Sequence, residues 1–115
     1  MRPIPRLTVA QYLVLRYDGR MHVISRKALR LFWELHPDSR TALSRWFKVV
    51  RHTRFRNFAE LRSAFPSADK AGDLVVFNIG GNKYRLIASI HFNRGKVYVR
   101  HVLTHQEYDR GDWKR

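Results

Sequence analysis

The sequence predicts an α+β domain in which N-terminal helices pack on an antiparallel β-sheet meander. Apolar residues recur at three- and four-residue spacing between positions 25 and 65, and they alternate with polar residues between positions 73 and 104. The first period is typical of an amphipathic helix and the second of a half-buried strand. Because the helices precede the strands instead of alternating with them, we expect the two kinds of element to segregate.

The composition describes a single, strongly basic domain. The chain has 115 residues, with 23 Lys or Arg against 9 Asp or Glu, and a formal net charge of +14. This length leaves room for one core and excludes large two-domain enzymes. The hydrophobic content of 44% is ordinary for a folded domain and too high for a disordered basic tail. The charge therefore lies on a folded surface, and it favours nucleic acid, an acidic protein or an anionic membrane as partner.

Two absences narrow the choice further. The chain has no cysteine, which excludes disulfide frameworks, thiolate zinc sites and cysteine nucleophiles. No apolar run approaches the roughly 20 residues of a membrane-spanning helix, and the first residues lack the cleavage site of a signal peptide. We therefore expect a cytoplasmic protein with no membrane partner.

The chain divides into an N-terminal extension, residues 1–20, and a domain over residues 21–115. The domain opens on Met21-His22-Val23-Ile24, which is typical of a first strand. Within the extension the periodicity of residues 7–17 suits a short strand as well as a helix.

Two helices joined by a tight turn follow the first strand. Ser25 is a suitable N-cap for the first helix, which the His36-Pro37 pair ends. Asp38 or Ser39 can cap the second, whose apolar stripe runs from residue 42 to 50. We expect the two helices to be antiparallel. At helical spacing the large aromatic side chains are predicted to be core, namely Trp33, Trp46 and Phe47.

A short third helix and three strands complete the domain. Asn57 and Glu60 have the spacing of a capping box, and Pro66 ends the helix that they begin. The strands are predicted over Asp73 to Ile79, Lys83 to Phe92 and Val97 to Thr104, with glycine- and asparagine-rich turns between them.

Strand alternation assigns the side chains to two faces. With the last turn centred on Arg94-Gly95, Phe92 pairs with Val97 and Ile90 with Val99. The buried face then consists of Val75, Phe77, Ile79, Leu86, Ala88, Ile90, Phe92, Val97, Val99, His101 and Leu103. The open face carries Val76, Asn78, Arg85, Ile87, Ser89, His91, Tyr98, Arg100 and Val102. On this assignment His101 is a core histidine, and Arg85 and Arg100 share the open face.

The open face carries residues that suit phosphodiester chemistry on RNA. Arginine binds phosphate oxygens and stabilises the charge of a pentacoordinate transition state, and histidine exchanges protons near neutral pH. His105 and Tyr108 follow the last strand, and an aromatic ring can stack on a base. The 2′-hydroxyl of RNA is an internal nucleophile, so a metal ion is not required. We find no clustered carboxylates for a metal site and no P-loop, and we expect no cofactor.

Several of these residues also suit ordinary structural roles. Exposed arginines on a strand are most often solvated or paired with an acid, and the Thr104-x-x-Glu107 spacing is first of all a capping box. Between Arg40 and Arg62 the chain has seven Lys or Arg and one acid, a pattern typical of a solvated helical face. Such a face still attracts phosphates, and we expect Arg45, Lys48, Arg51 and Arg54 to contact RNA.

Four segments together resemble a known family. They are Met-His-Val-Ile-Ser-Arg-Lys-Ala-Leu (21–29), Phe-Pro-Ser-Ala-Asp (65–69), Val-Phe-Asn-Ile-Gly-Gly-Asn-Lys-Tyr-Arg-Leu-Ile (76–87) and Val-Leu-Thr-His-Gln-Glu-Tyr-Asp (102–109). From Met21 to about Asp109 the chain resembles HigB-family toxins of type II toxin–antitoxin modules, within the RelE-like superfamily of mRNA interferases. The extension has no counterpart in this pattern.

The resemblance implies a RelE-like fold and a ribosome-dependent endoribonuclease that cuts translated mRNA. The partners it implies are mRNA, the translating ribosome and a HigA-like helix-turn-helix antitoxin. By position, Arg85 is similar to a phosphate-binding arginine of the family, and His105 and Tyr108 fall where catalytic residues lie. Asn82 and Lys83 would line the same cleft, whereas Arg100 is supported by the sheet assignment.

These residues lead to a mechanistic hypothesis with two alternatives. The 2′-hydroxyl attacks the adjacent phosphate, Arg85 and Arg100 stabilise charge, His105 is the general acid or base, and Tyr108 stacks or assists. The first alternative is a non-catalytic RNA-binding or ribosome-associated module. The second is an interaction domain that docks an acidic protein.

Overall fold

The computed structural model describes residues 20–114, and the predicted α+β architecture is confirmed. Apart from Arg20, the extension predicted over residues 1–20 lies outside the described residues. The helices are α1 (Arg26–Leu35), α2 (Arg40–His52), α3 (Phe58–Ala64) and α4 (His105–Arg110), with 3₁₀ turns at Pro37–Ser39 and Asp112–Lys114. The strands are β1 (His22–Ile24), β2 (Asp69–Ala71), β3 (Leu74–Ile79), β4 (Tyr84–His91) and β5 (Lys96–Thr104).

The sheet contains the predicted meander and two short edge strands. Its order is β1-β5-β4-β3-β2, with β3, β4 and β5 paired antiparallel. β1 forms a parallel pair with β5, and β2 forms an antiparallel pair with β3. The sequence predicted β1 as a strand but not its parallel partner, and it did not predict β2.

Helices α1 to α3 cover one face of the sheet and form the main core. Leu29, Leu43 and Leu61, one from each helix, are at most 1% exposed and pack with Phe77 and Leu86 of the sheet. The predicted core position of Trp46 is confirmed, while Trp33 and Phe47 pack half-buried at the margin. Burial of each large apolar side chain stabilises the fold by roughly 1.5–3 kcal/mol, so this stripe holds the helices on the sheet.

The opposite face is partly covered by the C-terminal segment, which corrects the prediction of an open face. Trp113 packs on Val76 and Ile87, and Ile87 is 0% exposed. Leu103 and Tyr108 pack against this second cluster. Val76 and Ile87 of the predicted open face therefore form a small second core with Trp113, and Arg85 borders it through Tyr108.

A β-bulge at Arg100 corrects the predicted register of β5. The loop before β5 is centred one residue earlier than predicted, so Ile90 pairs with Val97. From the loop to Val99 the side chains of β5 lie on the predicted faces. From His101 onward they lie on the opposite faces, because the register shifts between Ile87 and Ala88 of the partner strand β4. An extra residue in one strand shifts every later side chain to the other face.

The reversal changes the face of three residues. Val102 packs on the main core, although it was predicted on the open face. Leu103 packs on the second cluster, and His101 pairs with Ile87 instead of occupying the main core. On β3 the assignment is confirmed, with Phe77 in the main core and Val76 on the opposite face.

The helices begin and end close to the predicted residues, but not all of the predicted capping hydrogen bonds form. Ser39 precedes α2, but its Oγ donates to the carbonyl of His36 instead of capping the helix. Asn57 accepts from the backbone N–H of Glu60 at 2.9 Å, whereas the Glu60 carboxylate accepts from Arg56. The Thr104–Glu107 capping box has both of its reciprocal bonds.

In the described part of the chain, the longest helix falls short of the length and hydrophobicity needed to span a bilayer.

Candidate active site

The predicted catalytic residues of the C-terminal segment lie at one end of the sheet, where β4 begins and β5 ends. Thr104, the last residue of β5, pairs with Tyr84, the first of β4. The Thr104 capping box then turns the chain into α4, and the backbone N–H of His105 donates to the carbonyl of Lys83 at 3.1 Å. Helix α4 thus begins directly beside the first residue of β4, which makes His105 and Lys83 neighbours.

Arg85 is held inside this end of the molecule. Its side chain is 8% exposed, and its Nη2 donates to Asn82 Oδ1 at 2.6 Å. Its Nη1 donates to the carbonyls of Asn82 and Tyr84 at 3.2 and 3.1 Å. The Gly80-Gly81-Asn82 turn thus fixes the guanidinium, which keeps its positive charge since arginine does not deprotonate in proteins. Asn82 and Arg85, both predicted to act on RNA, are therefore hydrogen-bonded to each other.

The Tyr108 ring contacts both Arg85 and Trp113. The guanidinium carbon of Arg85 is 5.2 Å from the centre of the Tyr108 ring. Tyr108 also stacks on Trp113 with 5.2 Å between ring centres and 11° between planes. The Trp113 indole N–H donates to the Tyr108 carbonyl at 3.0 Å. These contacts of one cation and two rings fix α4 against the sheet.

His105 has a carboxylate partner one helical turn further on. Its Nδ1 lies 2.8 Å from Asp109 Oδ2, and both side chains are partly exposed. A carboxylate that accepts from Nδ1 selects the tautomer and fixes the plane of the imidazole. Nε2 is then the ring nitrogen available to exchange a proton with a ligand.

Lys83 and Tyr84 are joined to the turn between α1 and α2 through Asp38. The Lys83 ammonium donates to Asp38 Oδ2, and the Tyr84 hydroxyl donates to Asp38 Oδ1 at 2.5 Å. The hydrogen bond from Lys83, followed by that from Tyr84, lowers the pKa of Asp38. The hydrogen bond to Asp38 raises the pKa of Lys83 and also that of Tyr84. Lys83 consequently stays protonated at neutral pH, which suits binding a phosphate better than transferring a proton.

Arg100 lies apart from this group. It is exposed at the bulge, and its guanidinium carbon is 5.4 Å from the ring of Tyr98. Arg100 precedes Thr104 by four positions, which is about 13 Å along β5. The structure thus brings Asn82, Lys83, Arg85, His105 and Tyr108 together, and it places Arg100 toward the middle of the strand.

The four basic residues predicted to contact RNA, three on α2 and Arg54 just beyond it, line neighbouring depressions. Arg45 and Lys48 line a shallow groove along the helix with Arg40. Arg51 and Arg54 instead line a cleft at the far end of the sheet. Arg51 also lines a depression with Lys48, so the basic face continues along α2, and only Arg54 leaves it because the chain turns away after His52.

Three residues of this end of the sheet were not identified as site residues from the sequence: Asp38, Asp109 and Trp113. The i,i+4 spacing of His105 and Asp109 on a predicted helical turn is the signal that could have identified Asp109. Asp38 contacts Lys83 across 45 residues of sequence, and no local pattern reports such a contact. Within residues 20–114, no three His, Asp or Glu side chains are grouped as a metal site requires.

Known proteins provide an independent comparison. A family model described as HigB_toxin, RelE-like toxic component of a toxin–antitoxin system, matches residues 39–111. The mRNA interferase toxin HigB of Escherichia coli (strain K12) is 38% identical over 92 residues, 77% of this chain and 88% of that protein. The mRNA interferase HigB of Shigella flexneri has the same identity and coverage. That of Escherichia coli O6:H1 is 33% identical over 93 residues, 78% of this chain and 90% of the relative.

The matches include the segments around Lys83, Arg85, His105 and Tyr108, so the family resemblance and the geometry concern the same end of the sheet. The chain therefore belongs to the HigB family of RelE-like toxins of toxin–antitoxin systems.

Proposed function

We propose that this HigB-family toxin is an mRNA interferase that cuts mRNA on the translating ribosome, using the 2′-hydroxyl of the substrate and no metal ion. The names of its relatives support the mRNA substrate. The observation that carries the mechanism is the position of His105: its Nδ1 is hydrogen-bonded to Asp109, and its backbone N–H is bonded to Lys83 at the end of the sheet that also holds Arg85 and Tyr108.

The proposed reaction is a transfer of the phosphoryl group within the RNA chain. The 2′-oxygen attacks the adjacent phosphorus, a new P–O2′ bond forms, and the P–O5′ bond breaks. The products are a 2′,3′-cyclic phosphate and a 5′-hydroxyl. One proton leaves the 2′-hydroxyl and one reaches the departing 5′-oxygen, and His105 Nε2 exchanges one of these protons as general base or general acid.

The cations and the aromatic ring act on the phosphate and on the neighbouring base. Arg85 contributes a positive charge from a buried, hydrogen-bonded position, so no side-chain reorganisation is needed as negative charge develops. Lys83 binds a phosphate oxygen from the rim, and Arg100 contacts the RNA further along β5. Tyr108 stacks on a base or assists proton transfer. These roles follow the residue types and the geometry.

The remaining partners are proposed from the family and from the charge. A HigA-like helix-turn-helix antitoxin would neutralise the toxin by covering its basic surface. Arg45 and Lys48, which line the groove on α2, would contact ribosomal RNA.

Cleavage of mRNA by purified protein, with and without translating ribosomes, tests the proposal. We expect the parent protein to cut only the ribosome-bound mRNA. His105→Ala should lower the rate by about 100-fold or more, which is the usual contribution of a general acid or base. Gln106→Ala is the matched control, because Gln106 is exposed on the same helix.

Two results would contradict the proposal. Equal cleavage by His105→Ala and by the parent protein would remove His105 from the mechanism. Ribosome binding without any cleavage by the parent protein would favour the non-catalytic RNA-binding module.

A further inference from the structure

We propose that a second, cationic site at the other end of the sheet binds backbone phosphates of RNA far from the bond that is cut. The site is a cleft of about 590 Å³ where the end of α2, the start of β1 and the β4–β5 turn meet. None of the described residues that line it is Asp or Glu. Its cationic side chains, with His22 beside them, are Arg20, Arg51, Arg54, Arg94 and Lys96. We call it the turn-end cleft.

Backbone hydrogen bonds hold the walls of the turn-end cleft together. The N–H of Met21 donates to the carbonyl of Arg51 at 3.1 Å, which ties β1 to α2. The N–H of His22 donates to the carbonyl of Gly95 at 2.8 Å, which ties β1 to the turn. The positive charges are therefore held close together by the fold before any ligand binds, and an anion is the ligand that relieves their repulsion.

Arg54 provides the most specific evidence. Its guanidinium lies directly over Gly95, where a Cβ atom would be 2.2 Å from Nη1. Its Nη2 donates to the carbonyl of Asn93 at 3.3 Å. Its Nη1 is buried and finds no acceptor among the described residues. Nη1 is thus closed to the cleft, and a phosphate would bind the partly exposed remainder of the guanidinium through charge-assisted hydrogen bonds.

The lining favours RNA over an acidic protein segment. The one large apolar side chain of the lining within the described residues is Met21, which is 2% exposed and so offers no surface to an incoming apolar anchor. Protein interfaces derive most of their affinity from such anchors. Arginine guanidinium groups instead match phosphate oxygens in planar, two-bond geometry.

The turn-end cleft is separate from the candidate active site. Lys96 begins β5 at the cleft and Thr104 ends it beside His105. The intervening strand spans about 26 Å at roughly 3.3 Å per residue. One phosphate cannot reach both sites, so the cleft contacts a different part of the RNA. The choice of RNA as ligand rests on the proposed function.

A 2′-O-methyl RNA duplex of about 20 base pairs is the probe, because it cannot be cut through its 2′-oxygen. Its affinity is measured across a salt series for the parent chain and for the triple variant Arg54→Gln, Arg94→Gln, Lys96→Gln. We expect at least a tenfold weaker affinity near 0.1 M salt. Each phosphate contact contributes about 0.9 to the slope of log affinity against log salt concentration. The magnitude of that slope should therefore fall by roughly two to three.

A charge-matched control removes three cations elsewhere. Lys27→Gln, Arg30→Gln, Arg62→Gln changes exposed side chains outside the cleft, and we expect its affinity to stay within about twofold of the parent. Equal losses in the two triple variants would show that net charge alone drives binding, and would overturn the proposal.

A second variant leaves the charge unchanged. Gly95→Ala should displace the Arg54 guanidinium and weaken binding several-fold, because the new Cβ would occupy its place. Gly72→Ala is the matched control: Gly72 has φ +63° against +66° at Gly95, and a Cβ added there would meet no atom within 4 Å. The two variants carry the same backbone strain. Equal RNA affinities in these two variants would contradict the role of Arg54.

Two further outcomes distinguish an RNA site from a protein-binding site and from a part of the cleavage reaction. If the cleft variants bind the duplex normally and lose affinity for an acidic antitoxin peptide, the cleft is a protein-binding site and the proposal is wrong. If the parent binds the duplex through the cleft but cuts no mRNA, the proposed function fails and the cleft remains an RNA-binding site.

Discussion

Two carboxylates, Asp38 and Asp109, each hold one candidate functional residue in place. Asp109 binds Nδ1 of His105 from one helical turn away, and Asp38 binds the ammonium of Lys83 from the turn between α1 and α2. In a chain with only 9 acidic residues, two are thus placed at the same end of the sheet. We infer that their role is to position the side chains that contact RNA.

Substitution Asp109→Asn tests this inference for His105. We expect cleavage on ribosomes to fall by about 10- to 100-fold, because an amide can donate to Nδ1 as well as accept from it and so no longer selects one tautomer of the imidazole. The loss should lie in kcat, with KM little changed, since Asp109 acts through His105. Asp112→Asn, at an exposed carboxylate just beyond α4, is the control and should cleave normally. A fall in both variants, or in neither, contradicts the assignment.

Substitution Asp38→Asn tests the link to Lys83 and Tyr84 through pH. The pKa of Asp38 is lowered from 3.8 in the folded state, first by the hydrogen bond from Lys83. A lowered pKa adds stability that is fully present above the unfolded value and is lost as pH falls through the folded value. The difference in free energy of unfolding between parent and Asp38→Asn should therefore shrink below about pH 3.8. Urea denaturation from pH 7 to 3 measures it, and a constant difference would contradict the link.

At the scale of elements, the sequence predicted what local periodicity controls. The helix bounds at Ser25 and Pro66, the alternation on β3 and the capping box at Thr104 all depend on residues a few positions apart. The bulge at Arg100 reverses the later half of β5, and no glycine or other local signal marks it. The parallel pairing of β1 with β5 joins segments more than 70 residues apart.

In the candidate site, too, the residues of a local motif were predictable and the long-range contacts were not. His105 and Tyr108 were identified from a contiguous motif, and the structure places His105 next to Lys83 and Tyr108 against Arg85. Trp113 covers the sheet because of how α4 packs. The hydrogen bonds of Lys83 and Tyr84 to Asp38 depend on the position of the distant α1–α2 turn. Tertiary contacts of this kind leave no periodic trace in the sequence.

The capping box of α4 offers a test at this scale. Thr104→Ala removes the acceptor for the Glu107 backbone N–H and should destabilise the protein by about 1 kcal/mol. Because His105 is the first residue of α4, cleavage should fall as well. Thr104→Ser keeps the hydroxyl and should retain both stability and activity. Stability is measured by urea denaturation, and identical curves for Thr104→Ala and the parent would contradict the role of the cap.

At the scale of the whole molecule, three regions each gather several of the 23 basic residues. One is the end of the sheet with Lys83, Arg85 and His105, and the second is the groove on α2. The third is the turn-end cleft, about 26 Å from the first along β5. On the proposed function, the first region cuts the RNA and the other two hold the remaining RNA in place. Each phosphate bound at these surfaces makes the affinity more sensitive to salt.

The proposed cleavage through the 2′-hydroxyl of the mRNA depends on a single oxygen atom of the substrate. Translating ribosomes carrying either all-ribose mRNA or the same mRNA with 2′-deoxynucleotides at the positions that are cut isolate the role of that atom. We expect fragments with a 2′,3′-cyclic phosphate and a 5′-hydroxyl from the first mRNA, and no cleavage at the 2′-deoxy positions of the second. Cleavage of the 2′-deoxy mRNA at an unchanged rate would contradict the proposal.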